Sequence, residues 1–392
     1  MTDGTLPTES GSLAAAGERE PAKRVMVQVG DQTVDVAAVA AAAAASTSPA
    51  GAAAAAAHEA SPGHAQVVAE APEHHHDTDE EDEAAADDAT GLESGAGLLD
   101  EFPDDSEDID LIHLRLMTLE GLDLSRFPNV KTLRMRQNLI PKLIPIPGGE
   151  NLEEIDFYDN RIVRVETLEM YQSLRLLDLS FNKIRCIEGL EALATLKELF
   201  FVANKLSKIE NLGHLVNLVN LELGANRIRK IENLEGLVNL QQLWVGKNKI
   251  SRLEGLSPLR NLRLLSIQSN RLTKIEGLEL LENLEELYMS HNAIKKIEGL
   301  DRNLKLTTLD VSNNQIEHLE NIAHLTQLTE LWASYNKLAS FQEVESQLRD
   351  KAGLQTVYFE GNPLQTDARA VYRGKVRAVL PQVRQIDATY VR

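Results

Sequence analysis

Leu218-Val219-Asn220-Leu221-Glu222-Leu223-Gly224-Ala225-Asn226-Arg227-Ile228 is one clean copy of a phrase, Leu-x-x-Leu-x-Leu-x-x-Asn-x-Ile/Leu, that organises more than half of the chain. Its asparagine is the easiest position to follow. It recurs at Asn138, Asn160, Asn182, Asn204, Asn226, Asn248, Asn270, Asn292, Asn314 and Asn336, always 22 residues apart, and once more at Asn362 after 26. A fixed period over such a length describes stacked copies of one small unit in a single elongated solenoid, not two or three unrelated globular domains.

The positions of the phrase have separable physical jobs. In Leu-x-x-Leu-x-Leu the period of two describes a short strand with leucines inward and the intervening residues outward. Stacking such strands makes a parallel sheet. The asparagine falls where the chain turns away, and its amide can bond backbone groups of its own turn and of neighbouring units, so that no buried polar group is left unpaired. The second half of each unit, as in Ile187-Glu188-Gly189-Leu190 or Ile231-Glu232-Asn233-Leu234, fills the core from the opposite side. This is the pattern of a leucine-rich repeat. The expected fold is an α/β solenoid with short parallel strands on its concave face and helical or 3-10 segments on its convex face. About eleven repeats span 131–364, with an N-terminal cap at 108–130 and a C-terminal cap at 365–392.

Apolar residues of the first cap, Ile109, Ile112, Leu114, Leu116, Leu119, Leu122, Leu124 and Phe127, lack the asparagine, as expected of a unit that covers an open core. Pro141 to Gly149 departs from the other copies and reads as a distinct loop. The last phrase carries Pro363 after its asparagine and follows a four-residue insertion. Beyond it, Tyr372, Val376, Val379, Leu380, Val383 and Ile386 read as a helix and a return segment closing the solenoid.

The net charge of −20 is unevenly placed. Residues 1 to 110 hold 25 acidic against 3 basic residues, and the remainder holds 35 against 37. The acidity therefore belongs to the N-terminal segment. Residues 1–107, alanine-rich and then acidic, offer little apolar surface to offset the entropy of ordering, so disorder is expected there, with transient helix in the alanine runs. Nothing in the charge supports general nucleic-acid binding. The single cysteine, Cys186, excludes an intramolecular disulfide and favours an intracellular protein. It replaces a basic residue in its repeat and is expected near the surface. No signal peptide is read at the N-terminus, and Val36 to Ala45 is too short and weakly apolar to span a bilayer.

No phosphate loop, nucleophile elbow or His-Glu-x-x-His is present, so an enzyme is not expected and no cofactor is called for. His74-His75-His76 beside Glu73 and Asp77 has metal-ligand residue types without a dedicated site's spacing, and no metal role is assigned to it. Ser106 sits among Asp104, Asp105, Glu107 and Asp108, an acidic phosphorylation context that reads more simply as solvated linker. A basic column (Lys208, Lys230, Arg252, Lys274, Lys296) and an acidic one (Glu210, Glu232, Glu254, Glu276, Glu298) read as a solvated, weakly paired face.

The informative positions lie four residues before each asparagine: Arg134, Asp156, Asp178, Phe200, Glu222, Trp244, Ser266, Tyr288, Asp310, Trp332 and Tyr358. They project from the concave face. Aromatic residues are only 4% of the chain, yet five of these eleven positions are aromatic, and both tryptophans are among them. Glu154, Glu198, Glu286 and Glu330 flank them two residues earlier. Partly wet aromatics with carboxylate neighbours match the anchors of protein interfaces and suit a partner rich in Arg and Lys.

The 22-residue period, Arg136-Gln137-Asn138-Leu139-Ile140, Gly246-Lys247-Asn248-Lys249-Ile250, the run from Gln268 to Leu278, and the closing Arg384-Gln385-Ile386-Asp387-Ala388-Thr389 resemble the leucine-rich-repeat regulatory subunits of protein phosphatase 1, the regulatory subunit 7 family. The resemblance runs from about Ile109 to Arg392. It implies a non-catalytic subunit, nuclear and cytoplasmic, whose concave face grips the phosphatase catalytic subunit. It further implies a role in phosphatase maturation alongside an additional inhibitor subunit, without nucleic acid or membrane. The family's contact positions fall on Asp178, Phe200, Glu222, Trp244, Asp310, Glu330, Trp332 and Tyr358, with Trp244 standing where the family commonly has Phe. A ciliary or cytoskeletal leucine-rich-repeat adaptor and a ribonucleoprotein scaffold are the rival readings, since both use similar repeats.

Overall fold

A computed structural model describes residues 26–29, 32–35 and 90–391. Strands β1 (Met26–Val29) and β2 (Gln32–Asp35) pair antiparallel, Met26 opposite Asp35. This hairpin falls within the segment expected to be disordered; the rest of that segment before residue 90, the alanine runs expected to form transient helix and the histidine cluster lie outside the described residues.

From β3 (Asp108–Asp110) onward, one sheet of fourteen strands runs in sequence order. The repeat strands are three residues each: β4 (Thr132–Arg134), β5 (Glu154–Asp156), β6 (Leu176–Asp178), β7 (Glu198–Phe200), β8 (Asn220–Glu222) and β9 (Gln242–Trp244). They continue as β10 (Leu264–Ser266), β11 (Glu286–Tyr288), β12 (Thr308–Asp310), β13 (Glu330–Trp332) and β14 (Thr356–Tyr358). Parallel pairing continues to β15 (Gln385–Ile386), and β16 (Thr389–Tyr390) folds back antiparallel at the end. The register is exact: Leu221 pairs with Leu199 on one side and Leu243 on the other, so inward leucines stack on one another along the core.

The asparagine ladder is complete. Asn204 donates its side-chain amide to the carbonyls of Leu179, Phe201 and Val202 at 2.9, 3.2 and 3.3 Å, and its Oδ1 accepts the Ile184 N–H at 3.0 Å. Each asparagine thereby ties its own turn to the preceding repeat. Without such partners a buried amide would cost about 1–3 kcal/mol. The residue just before each asparagine adopts a left-handed backbone, from Gln137 through Tyr335, and that turn aims the amide inward.

On the convex side the regular repeats take the tighter of the two expected forms: the chain makes successive single turns with the three-residue bonds of a 3-10 segment, such as Leu193 N–H to Leu190 C=O and Leu196 N–H to Leu193 C=O. A 22-residue unit returns to the next strand too quickly for a helix of even two turns. A left-handed residue opens this return: glycine (Gly189, Gly255, Gly277, Gly299), asparagine (Asn211, Asn233, Asn321) or, once, Thr167. The glycine is needed sterically: a Cβ on Gly255 would lie 2.3 Å from the Ile231 carbonyl oxygen.

The insertion before the last repeat is the exception. It forms α1 (Phe341–Leu348), where Ser340 Oγ accepts the Glu343 N–H and caps the helix. A short α2 (Pro363–Thr366) and α3 (Tyr372–Val379) then cover the C-terminal end, burying Tyr372, Val376, Leu380, Val383 and Ile386. Among the described residues no helix is long and apolar enough to cross a membrane.

At the N-terminal end the packed chain begins earlier than the expected boundary at 108. Leu99 is buried, Leu92, Leu98 and Phe102 pack against the core, and Leu92 bridges Leu116 in parallel. These few apolar residues seal the open end of the cap, although the acidity around them masks them in composition. Ser106 is held at a turn, donating to the Pro103 carbonyl at 2.7 Å. In the Pro141 to Gly149 loop, Leu143 and Ile146 point inward, and Tyr171 Oη accepts the Ile146 N–H at 3.2 Å.

Candidate functional site

The strand register places the eleven outward positions in one file across the sheet. Arg134, Asp156, Asp178, Phe200, Glu222 and Trp244 sit opposite one another on β4 to β9, and Ser266, Tyr288, Asp310, Trp332 and Tyr358 continue the file on β10 to β14. The eight expected contact residues therefore form two groups. Asp178, Phe200, Glu222 and Trp244 occupy four consecutive strands, while Asp310, Trp332 and Tyr358 occupy three, with Glu330 beside Trp332.

Their depth differs from a uniformly wet row. Trp244, Glu330, Trp332 and Tyr358 are half-exposed, but Phe200 (2% exposed), Asp178 (3%), Asp310 (4%) and Glu222 (6%) are buried. Alternation along a strand decides which face a residue joins, not how deep it sits.

The acid-lined half is electrostatically strained. Burial, with Asp156 on the adjacent strand, pushes the Asp178 carboxyl well above the usual range. Burial pushes Glu222 up to about 7, with Asp178 and Glu198 adding to the rise and the Asn220 amide opposing it. Asp156 is also raised by burial, although Arg136 bonds it and lowers it in part. Asp310 is raised by burial despite the Ser312 N–H at 2.9 Å. Beside Glu222, Asn220 is buried and its Oδ1 has no hydrogen-bond partner. Arg136 on Asp156, the Ser180 N–H on Asp178 and the Asn220 amide on Glu222 offset burial only in part, and a partner's ammonium or guanidinium would supply further positive charge and donors.

The other half is a ring cluster. Trp332 lies 6.0 Å from Tyr288 and 5.9 Å from Tyr358, between ring centroids, in tilted and edge-on arrangements. Each ring is pinned by a polar handle: Trp332 Nε1 donates to Glu330 at 3.1 Å, Tyr288 Oη to Glu286 at 2.6 Å, and Tyr358 Oη accepts from Gln385 Nε2 at 2.7 Å. Rings held in one orientation give contact area with little ordering cost. Tyr288, Glu286 and Asn220 complete the surface and were not among the eight expected contacts; Tyr288 was visible in the aromatic file, whereas the unpartnered Asn220 oxygen has no sequence signal. Among the described residues no cluster of His, Cys, Asp and Glu has the arrangement of a metal site.

A sequence profile for leucine-rich repeats in two copies matches residues 216–258, 260–302 and 282–324. Protein phosphatase 1 regulatory subunit SDS22 of Schizosaccharomyces pombe is 51% identical over 87 residues, 22% of this chain and 26% of that protein. Its Saccharomyces cerevisiae counterpart is 48% identical over 86 residues, 21% of this chain and 25% of that protein. The matched stretch thus spans about a quarter of the length of these relatives. In three dimensions an internalin of Listeria monocytogenes superposes with a TM-score of 0.57 at 20% identity, covering 73% of this chain and 87% of its own, which establishes the shared fold alone. The chain is thus a leucine-rich-repeat solenoid in fold, and a stretch of its repeats is similar in sequence to the regulatory subunits of protein phosphatase 1.

Proposed function

We propose that this protein is a non-enzymatic regulatory subunit that binds the catalytic subunit of protein phosphatase 1 through its concave face and controls its activity or maturation. The observation that carries the reading is the file of carboxylates and pinned rings on a scaffold of which one stretch of 87 residues is 51% identical to a phosphatase 1 regulatory subunit. The buried carboxylates of β5 to β8 take up basic side chains of the partner. The rings of β11 to β14 supply the apolar anchor. An acidic concave surface weighs against a phosphate backbone, which requires Lys and Arg. Assembly with an additional inhibitor subunit, and residence in nucleus and cytoplasm, belong to the same proposal.

The test is capture of the purified phosphatase catalytic subunit by this chain and by its Trp332→Ala and Glu330→Ala variants. Each truncation is expected to weaken binding by about 2 kcal/mol or more, as at other interface anchors, with unfolding unchanged. Equal capture by both variants would remove the concave face from the reading. No capture by the unaltered chain would remove the phosphatase.

A further inference from the structure

One position of the repeat carries, in two copies, side chains that its own backbone disfavours. The residue just before each asparagine holds a left-handed φ, between +53° and +56° from Gln137 to Tyr335. Short polar residues fit that backbone with least strain, whereas bulky ones are disfavoured. Most repeats comply, as with Asp159, Ala203, Ser269 and Asn313. Phe181 and Tyr335 do not, and their rings are 45% and 54% exposed. The one other exposed ring among the described residues is Tyr390 of the C-terminal cap. Neither the backbone nor the solvent favours Phe181 and Tyr335 where they stand, so the demands of the fold do not account for them.

Both rings sit where the concave face turns over its rim. Phe181 lies 4.8 Å from Tyr158 between ring centroids, and the Arg136 guanidinium stands over the Tyr158 ring at 5.8 Å. Arg136 also bonds Asp156, and the Tyr158 N–H donates to the same carboxylate at 2.9 Å. A continuous chain of contacts therefore joins this rim ring to the acid-lined file. At the other end Tyr335 follows Trp332 by three residues, as Gly361 follows Tyr358. The Tyr335 ring covers Gly361, where a Cβ would lie 2.4 Å from its Cδ1. One exposed ring thus flanks the carboxylate half of the face and the other flanks the aromatic half.

We propose, resting on the reading of the concave face as the docking surface for the phosphatase catalytic subunit, that Phe181 and Tyr335 are rim contacts for that same partner. The rings stand seven strands apart, about 34 Å at ordinary strand spacing. A short linear motif does not reach both, since an extended peptide needs about ten residues to cover that distance. The occupant that fits is a folded domain whose basic surface meets the carboxylates and whose apolar shoulders, one at each end of that surface, cover the two rings. Covering the rings also closes the face to water at both ends. Ion pairs made there with Asp178 and Glu222 then form in a lower dielectric and gain strength.

Asparagine is the informative replacement, because Asn313 already holds this position at a φ of +53°. Phe181→Asn and Tyr335→Asn each remove a ring and keep the turn, so the urea midpoint of the full chain is expected to stay or rise. Affinity for the purified phosphatase catalytic subunit, measured by calorimetry, should fall about tenfold or more in each. Phe181→Tyr, which keeps a ring, should bind like the parent. Unchanged affinity in either asparagine variant, with Trp332→Ala still defective, rejects the rim and leaves the concave reading standing. Weaker binding accompanied by a lower urea midpoint would make the rings part of the fold and overturns the proposal as well. Absence of binding by the parent chain removes the concave reading and the rim contacts with it. Self-association of the parent in sedimentation that the asparagine variants abolish would assign the rings to a second copy instead.

Discussion

Replacing Glu222 by glutamine tests whether the concave face is built under electrostatic strain. In the folded chain Glu222 is 6% exposed, and its carboxyl is pushed up to about 7 from an ordinary 4.5. A carboxyl that holds its proton more tightly folded than unfolded contributes stability that is fully present below about pH 4.5 and is lost as pH rises through about 7. Between those limits the difference amounts to about 3 kcal/mol. Glu222→Gln removes the charge and keeps the shape. The variant should match the parent near pH 4 and exceed it by up to about 3 kcal/mol at pH 8.5, read as a rise in melting temperature of about 5–10 °C. Hydrogen exchange in β7 to β9 should slow in parallel, because stability in a repeat array is local. If parent and variant show the same pH dependence, or if the variant is the less stable at pH 8.5, the carboxylate is not strained and the reasoning fails. The same residue gives the binding prediction its sign. A basic partner group would draw the Glu222 proton off, so affinity for the phosphatase should rise between pH 6 and 8 in the parent and stay flatter in the variant.

Three further outcomes follow from the scaffold. Asn226→Leu strands the Leu206 N–H and the Phe201 carbonyl, which the amide now holds at 3.0 and 2.8 Å; it should cost about 3 kcal/mol in urea unfolding, and a neutral result would remove the ladder from the stability argument. Gly277→Ala places a Cβ 2.8 Å from the Leu253 carbonyl oxygen at a φ of +71° and should cost about 1–2 kcal/mol. Gly277→Asn should cost less, since Asn233 holds the equivalent left-handed position and bonds the Ile209 carbonyl at 2.7 Å. Cys186 should react with one equivalent of a thiol reagent in the native chain, without any change in circular dichroism.

The strands, the asparagine ladder and the outward file were legible, because each rests on a period that the chain repeats many times. The features that escaped are those in which neighbours compete for space. Leu-x-x-Leu on the convex side fits a helix and a pair of single turns equally well, and only the length of the return decides between them. Asp178 and Trp332 hold the same position in the phrase, yet one sinks and the other stands clear, because depth depends on the columns to either side. The insertion near Phe341 was visible as a count of residues; that it forms a capped helix depends on Ser340 meeting the Glu343 N–H. Leu92 and Leu99 were hidden by averaging over the acids around them.

A register that advances one strand per 22 residues turns repeat number into distance. Glu222 and Trp332 stand five strands apart, about 24 Å at ordinary strand spacing. Duplicating or losing one whole unit between them would keep every ladder bond while moving the two anchors by a fixed step. The scaffold is therefore a ruler whose graduations evolution can add or strike out, and the identity of whatever it measures is written in how many it keeps.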